Sequence, residues 1–535
     1  MNTWGRQAYS TLGGWAGNKN GQRSPRHHAR LVMLVSVVLW CAWITPEQSF
    51  GQEAPAAPEG ASAQGPTSGQ LDELQKKIQG LEQEVQTMHT DLAAVTGKGG
   101  KPGFNYKGVN IQLGGFLAAE TVYRNHNMES DIATPFSKIP FPNVAGYHES
   151  EFRGTARQSR LSLLVQGDVT PTTHLAGYYE LDFLGAAPTA NPNQSNSFNP
   201  RTRNVYLTVD WDTPGLHLLA GQNWSLVTMN ANGITPRSEY IPQTIDAQYA
   251  VGFNWERQWQ LRIAKDWNKM LWAAISAENS QTVGVGGLCP GGGTACNTYQ
   301  LPAGSNFSTG TNLSINRWPD FIAKAALESA IGHYEVYSLT RNFQSKYGGT
   351  TTATQTNNQS TWTEAVGAGV IIPVLPTHVD VALSGLYGKG VGRYGTTQLS
   401  DATFAGDGSL EPLTGFQYLA QLAWHASRVL EVWVAYGQEQ VDASVGPGGA
   451  YGYGGGIVAS NAGCETLGGV CSPLLKGDSQ INGGFWWSIF KGNYGALKLG
   501  VQYSHTKLET YGDAASFSPS TSEDMIFSSL RYYPF

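Results

Sequence analysis

From Asn110 to the C-terminus, apolar and polar residues alternate with a period of two, the signature of strands with one apolar and one polar face. In "RLSLLVQGDV", Leu161, Leu163 and Val165 fall on one face and Arg160, Ser162 and Gln166 on the other. "HLAGYYELDFLG" sets Leu175, Tyr179, Leu181 and Phe183 against Tyr178, Glu180 and Asp182. "NVYLTVDW" sets Val205, Leu207, Val209 and Trp211 against Asn204, Tyr206, Thr208 and Asp210. The connections are of two kinds. Short turns fall at "TPTTH", "DTPG", "KDWNK", "SAIGH", "PVLPTH", "HASR" and "KGNYG". Between them lie long Gly/Asn/Ser-rich connections, roughly 125–156, 186–200, 222–253, 279–317, 344–361, 389–414, 441–480 and 509–523. Eight long and seven short connections imply sixteen strands. An even, closed, antiparallel set leaves no edge unpaired, which is what lipid demands. The expected fold is therefore an all-β membrane protein: a 16-stranded antiparallel transmembrane β-barrel over residues 110–535, with short turns in the periplasm and long loops outside.

One stretch departs from this period. In "LDELQKKIQGLEQEVQTMHTDLAAV", Leu71, Leu74, Ile78, Leu81, Val85, Met88, Leu92 and Val95 step by three and four, the seam of a coiled coil. A lone helix of this length with Gly80 inside it is marginal. The two-per-seven stripe is also too narrow for a helix docked on its own domain, so residues 71–96 are expected to self-associate.

Arg23, Arg26 and Arg30 precede "LVMLVSVVLWCAWI", an apolar run too short for a membrane-spanning helix and placed as in a secretory signal. Residues 1–51 are read as that signal, with Ser49 and Gly51 fitting cleavage before Gln52. The basic leader is long for its kind and leaves the starting methionine open. Residues 52–70 and 97–109 read as linkers. Cys41 falls in the signal; Cys289, Cys296, Cys464 and Cys471 form two pairs, each seven apart, in Gly-rich loops. Local disulfides suit an oxidising compartment, whereas the spacing is long for paired zinc ligands.

Only 14% of residues are charged, against about a quarter in soluble domains. With 65 Gly, 24 Tyr and 16 Trp, the chain has a surface suited to lipid as well as water. Without residues 1–51 it keeps 29 basic and 39 acidic residues, a formal charge of −10, which gives no sign of nucleic-acid binding. No cofactor or metal site is indicated.

The chain ends "DMIFSSLRYYPF". Ile526, Leu530 and Tyr532 share a face and Phe535 is out of phase with them, so Pro534 is expected to bring a kink or bulge. A terminal aromatic is what the barrel-assembly machinery reads on outer-membrane barrels. With "NIQLGGFLAAETVY", "ARQSRLSLLVQGDV", "AGYYELDFLG", "PRTRNVYLTVDW" and "LHLLAGQNWSLV" following the coiled coil, the chain resembles the DcaP-type trimeric porins. The resemblance implies a homotrimer in outer-membrane lipid, the coiled coil as its periplasmic stalk, one channel per chain, and uptake of small anionic solutes such as dicarboxylates.

Alternation places Arg160, Glu180, Asp182, Arg262, Lys324, Glu328, Asp380, Glu431 and Lys498 on the lumen side, together with Tyr206. For Arg203 the resemblance implies a pore position while local phase points it outward. The competing reading, and the more common case for any one of these charges, is an Arg/Glu pair bracing the inner wall, since sheltered charges are usually paired. The third long connection, "NWSLVTMNANGITPRSEYIPQTIDAQY", is expected to fold inward and to offer Arg237 to a carboxylate. Catalysis is not expected: "GDSQ" at Gly477–Gln480 lacks a matching His/Asp arrangement. A non-conducting receptor, adhesin or structural tether is the alternative, and conductance separates it from a channel.

Overall fold

A computed structural model describes residues 103–186, 198–290, 296–303, 311–346, 358–455 and 461–535, with Lys77 and Gly80. Those two are helical and exposed. The signal, the first linker and the rest of the predicted coiled coil lie outside the described residues.

Sixteen long strands form the wall. They are β1 (Val109–Arg124), β2 (Arg160–Thr170), β3 (Thr173–Gly185), β4 (Asn199–Trp211), β5 (Leu216–Trp224), β6 (Arg257–Trp267), β7 (Leu271–Glu278) and β8 (Asp320–Ser329). There follow β9 (Gly332–Lys346), β10 (Asn358–Leu375), β11 (Val379–Lys389), β12 (Thr414–Trp424), β13 (Leu430–Val441), β14 (Leu475–Gly492), β15 (Gly495–Thr510) and β16 (Ser520–Tyr533). Each pairs antiparallel with the next, and β1 closes on β16, with Leu117 opposite Tyr532. The segment Glu151–Thr155 extends β2, pairing with the outer end of β1. Phe104–Tyr106 folds back on Val109–Ile111 as a small hairpin.

The alternation has the polarity that a bilayer requires. Leu161, Val205, Leu207, Ile263 and Ile275 are exposed on the outer face, while Gln260, Glu335, Arg341 and Gln502 are buried inside. Exposed aromatics gather at both outer rims, with Trp259, Tyr387, Tyr436 and Tyr503 toward the long loops and Trp267, Trp424, Trp487 and Tyr532 toward the short turns.

Two readings of phase need correction. β4 carries a bulge: Glu180 faces Asn204 but Leu181 faces Thr202, so one extra residue sits between them. The bulge turns both Arg203 and Asn204 inward, where simple alternation would put Arg203 in lipid. At the other seam, β15 and β16 pair without a shift from Ser520 to Tyr533. Pro534 therefore ends the strand rather than bending it, and Phe535 lies beyond the ladder.

The loops are tied to one another. Cys289–Cys296 and Cys464–Cys471 are both disulfide-bonded, which removes all four as metal ligands. Backbone bridges join Val285 to Ala402 and Leu288 to Gly452, linking the long loops that follow β7, β11 and β13.

Candidate functional site

The connection from β5 to β6, Ser225 to Glu256, folds into the barrel. Its apolar residues are the reason: Leu226, Val227, Ile234, Ile245, Val251 and Phe253 are all buried. Leu226, Val227 and Ile234 pack on Trp272, Ile322, Tyr337 and Leu386 of the inner wall. Ile245 and Val251 pack on Trp433, Trp486 and Phe527, together with Ile132 and Phe136 from the first long loop.

A loop buried this way must satisfy its backbone N–H groups, and wall side chains accept from them. Leu226 N donates to Glu278 at 2.9 Å, Asn230 N to Glu335 at 3.1 Å and Gly252 N to Glu439 at 2.9 Å. Gly252 is required where it stands: its φ is +84° and an added Cβ would lie 1.9 Å from the Tyr418 carbonyl oxygen.

The loop thus lines the inside of β6 to β15, reaches Phe527 of β16 and Arg203 and Tyr206 of β4, and leaves the inner faces of β2 and β3 most open. There the inward residues Ser162, Leu164, Gln166, Ala176 and Tyr178 keep partial exposure. This uncovered strip and the facing loop bound the candidate passage.

Guanidinium groups crowd its wall. Arg203 Nε donates to Glu180 at 2.6 Å, its Nη1 to Asp182 at 3.1 Å and its Nη2 to the Tyr249 hydroxyl at 3.1 Å. Arg201 binds Asp182 through two nitrogens, at 3.0 and 2.7 Å. Arg160 lies 3.8 Å from Glu180 and sits over the Phe116 ring. From the loop, Arg237 stacks over Tyr178, donates to the Tyr206 hydroxyl at 3.1 Å and stays exposed. Arg257 lies over Trp224 and Trp255. Among the described residues neither Arg237 nor Arg257 makes an ion pair. Arg160, Arg201 and Arg203 thus share two carboxylates, Glu180 and Asp182, and Arg237 and Arg257 stand near them. Tyr249 registers the imbalance: burial raises its phenol, but Arg203, Arg257 and Arg160 outweigh burial and bring it down to about 8.

Other residues expected at the lumen fall elsewhere. Arg262 points inward but lies under the loop, donating to Gln260 and to the Trp224 carbonyl at 2.7 Å. Lys324 is buried between Glu335, at 2.8 Å, and the Thr228 carbonyl, at 2.9 Å. Both brace loop against wall. Glu328 meets His333 and the Gly233 N–H, while Asp380 and Glu431 both meet His425. Lys498, near the short-turn end of β15, is partly exposed, over Tyr533 and beside Arg531, which is bound to Glu120 at 2.9 Å. Sequence reasoning missed Arg531, although its phase opposite Leu530 and Tyr532 marks it as inward. It also missed Arg201, Arg257 and Tyr249, which lie at strand ends or in the loop, where alternation carries no information.

No family model matches the sequence, and no curated protein does. Among solved structures, the outer membrane channel DcaP of Acinetobacter baumannii is similar with a TM-score of 0.54 at 18% identity, covering 81% of this chain and 99% of that one. OprB of Pseudomonas putida gives a TM-score of 0.44 at 8% identity, covering 79% and 94%. OmpT of Vibrio cholerae gives 0.41 at 8%, covering 80% and 98%. The likeness to DcaP establishes the fold: this chain is a closed 16-stranded antiparallel barrel of the kind seen in that outer membrane channel.

Proposed function

We propose that the protein is a porin, a passive diffusion channel in the outer membrane of a Gram-negative bacterium, for small hydrophilic solutes with a preference for carboxylate-type anions. One observation carries this reading: the inward loop covers most of the inner wall and leaves β2 and β3 open, beside which Arg160, Arg201 and Arg203 share Glu180 and Asp182 while Arg237 of the loop adds an exposed guanidinium. Charge at a constriction sets the barrier to ions of each sign, so an excess of guanidinium favours anions even in a chain with an acidic total. Planar guanidinium also suits bidentate carboxylate recognition.

In this reading the chain is exported by residues 1–51 and assembles as a homotrimer on a periplasmic coiled-coil stalk. The C-terminal strand, ending at Phe535, is presented to the barrel-assembly machinery. The test is conductance in a planar bilayer, followed by the reversal potential in a salt gradient. Step conductance with chloride preferred over potassium supports the proposal. Purified, folded protein that never conducts overturns it in favour of a receptor or tether.

A further inference from the structure

At the short-turn end of the barrel, four inward histidines each lie between two carboxylates. His174 Nδ1 is 2.7 Å from Asp168 and its Nε2 3.1 Å from Asp212. His217 Nδ1 is 2.7 Å from Asp210 and its Nε2 3.0 Å from Asp266. His425 Nε2 is 2.9 Å from Asp380 and its Nδ1 3.4 Å from Glu431. His333 lies between Glu328 and Glu335. The fourth differs from the others, because its ring is buried and Glu335 is already bound by Lys324. The first three keep solvent-open side chains, at 34, 20 and 34% exposure.

A neutral imidazole has one N–H and one lone pair and cannot donate to carboxylates on both sides; an imidazolium can. These sites are therefore built for the charged ring. With the proton on, each trio carries one negative charge; with it off, two.

We propose that the His174, His217 and His425 trios form a proton-responsive ion filter at the short-turn mouth, which becomes more cation-preferring when the rings give up their protons. The inference rests on the channel reading above. The trios share the mouth with other groups. Asp210, Asp212, His217 and Asp266 line a recess of about 980 Å³ that also receives Arg237, Lys265 and Lys269. Glu431 accepts from Gln243 of the inward loop, and Tyr240 of the same loop faces Asp380 and Glu431. Among the side-chain types at this mouth, imidazole is the one whose ordinary range spans neutral pH.

The test is the reversal potential of the full-length channel in a planar bilayer, with pH stepped in one chamber at a time. Raising pH on the short-turn side should increase the cation-to-anion permeability ratio several-fold, with little response on the other side. The combined variant His174→Gln, His217→Gln and His425→Gln should conduct and lose this response. His505→Gln, whose ring pairs with Asp524 on the outer face, should keep it. If the combined variant fails a heat-modifiability check of folding, His174→Gln alone should show a correspondingly smaller response. A conducting channel whose selectivity ignores pH, or whose variants respond like the parent, overturns the filter and leaves the porin standing. Absence of conductance at every pH overturns both.

Discussion

Arg237 reaches from the inward loop across the passage to donate to the Tyr206 hydroxyl of β4 at 3.1 Å. The loop end of this contact is an exposed cation and the wall end a buried phenol, so in the proposed channel a solute would meet the guanidinium and leave the wall packing undisturbed.

Replacing Arg237 by Glu should move the reversal potential toward cation preference. Stability should change by no more than about 0.5 kcal/mol, as for exposed sites without ion pairs. Arg160→Glu should shift selectivity in the same direction but also lower the unfolding temperature, because it places a third carboxylate beside Glu180 and Asp182. Measuring both quantities on both variants separates a pore charge from a wall brace.

Arg203→Ala should destabilise the barrel by about 3–5 kcal/mol, the usual cost of removing one partner from a buried ion pair. The loss leaves Glu180 without its nearest cation and Tyr249 with only the longer contact from Arg257, at 3.5 Å. Denaturant unfolding in detergent micelles reads the effect, and Arg203→Lys should recover only part of it because one ammonium cannot reproduce three directed contacts.

Tyr249 should ionise at about 8 in the folded protein, against 10.0 for an ordinary phenol. A depressed folded value means that ionisation stabilises the fold. That contribution is complete above about pH 10 and is lost as pH falls through about 8. The difference in tyrosinate absorbance between parent and Tyr249→Phe should show the early step. Anion preference should weaken over the same interval, since the phenolate offsets one guanidinium.

Gly252→Ala should unseat the inward loop. Its positive φ alone costs about 1–3 kcal/mol for a residue with a side chain, and the new methyl group meets the Tyr418 carbonyl oxygen. Single-channel conductance should rise and become noisier while the barrel still inserts; an unchanged conductance would show that this end of the loop does not narrow the passage.

Much of the wall was legible because a membrane strand has to repeat with period two and each hairpin needs its own turn chemistry. Leu161 to Val165 and Val205 to Val209 declare their faces without help. Arg203 did not, since a single inserted residue reverses phase and leaves no trace in composition. Alternation alone turns Arg262 and Lys324 inward, but which inward residues stay wet depends on where a loop some thirty residues long comes to rest. That is decided by long-range packing of Ile234 on Trp272 and of Ile245 on Trp486, not by local pattern. The reach of Tyr249 toward three arginines is hidden for the same reason.

The seam where β1 meets β16 also bears on how the chain matures. Thr121 and Ser528 share a hydrogen bond of 2.7 Å across it, although 407 residues separate them in sequence. Contacts of such separation are slow to form, because the closure entropy of the intervening chain must be overcome before they contribute anything. A nascent chain therefore offers an open sheet with two unpaired margins until its last strand has been delivered. Its passage to the membrane is a race between that ring closure and edge-to-edge aggregation with neighbouring copies.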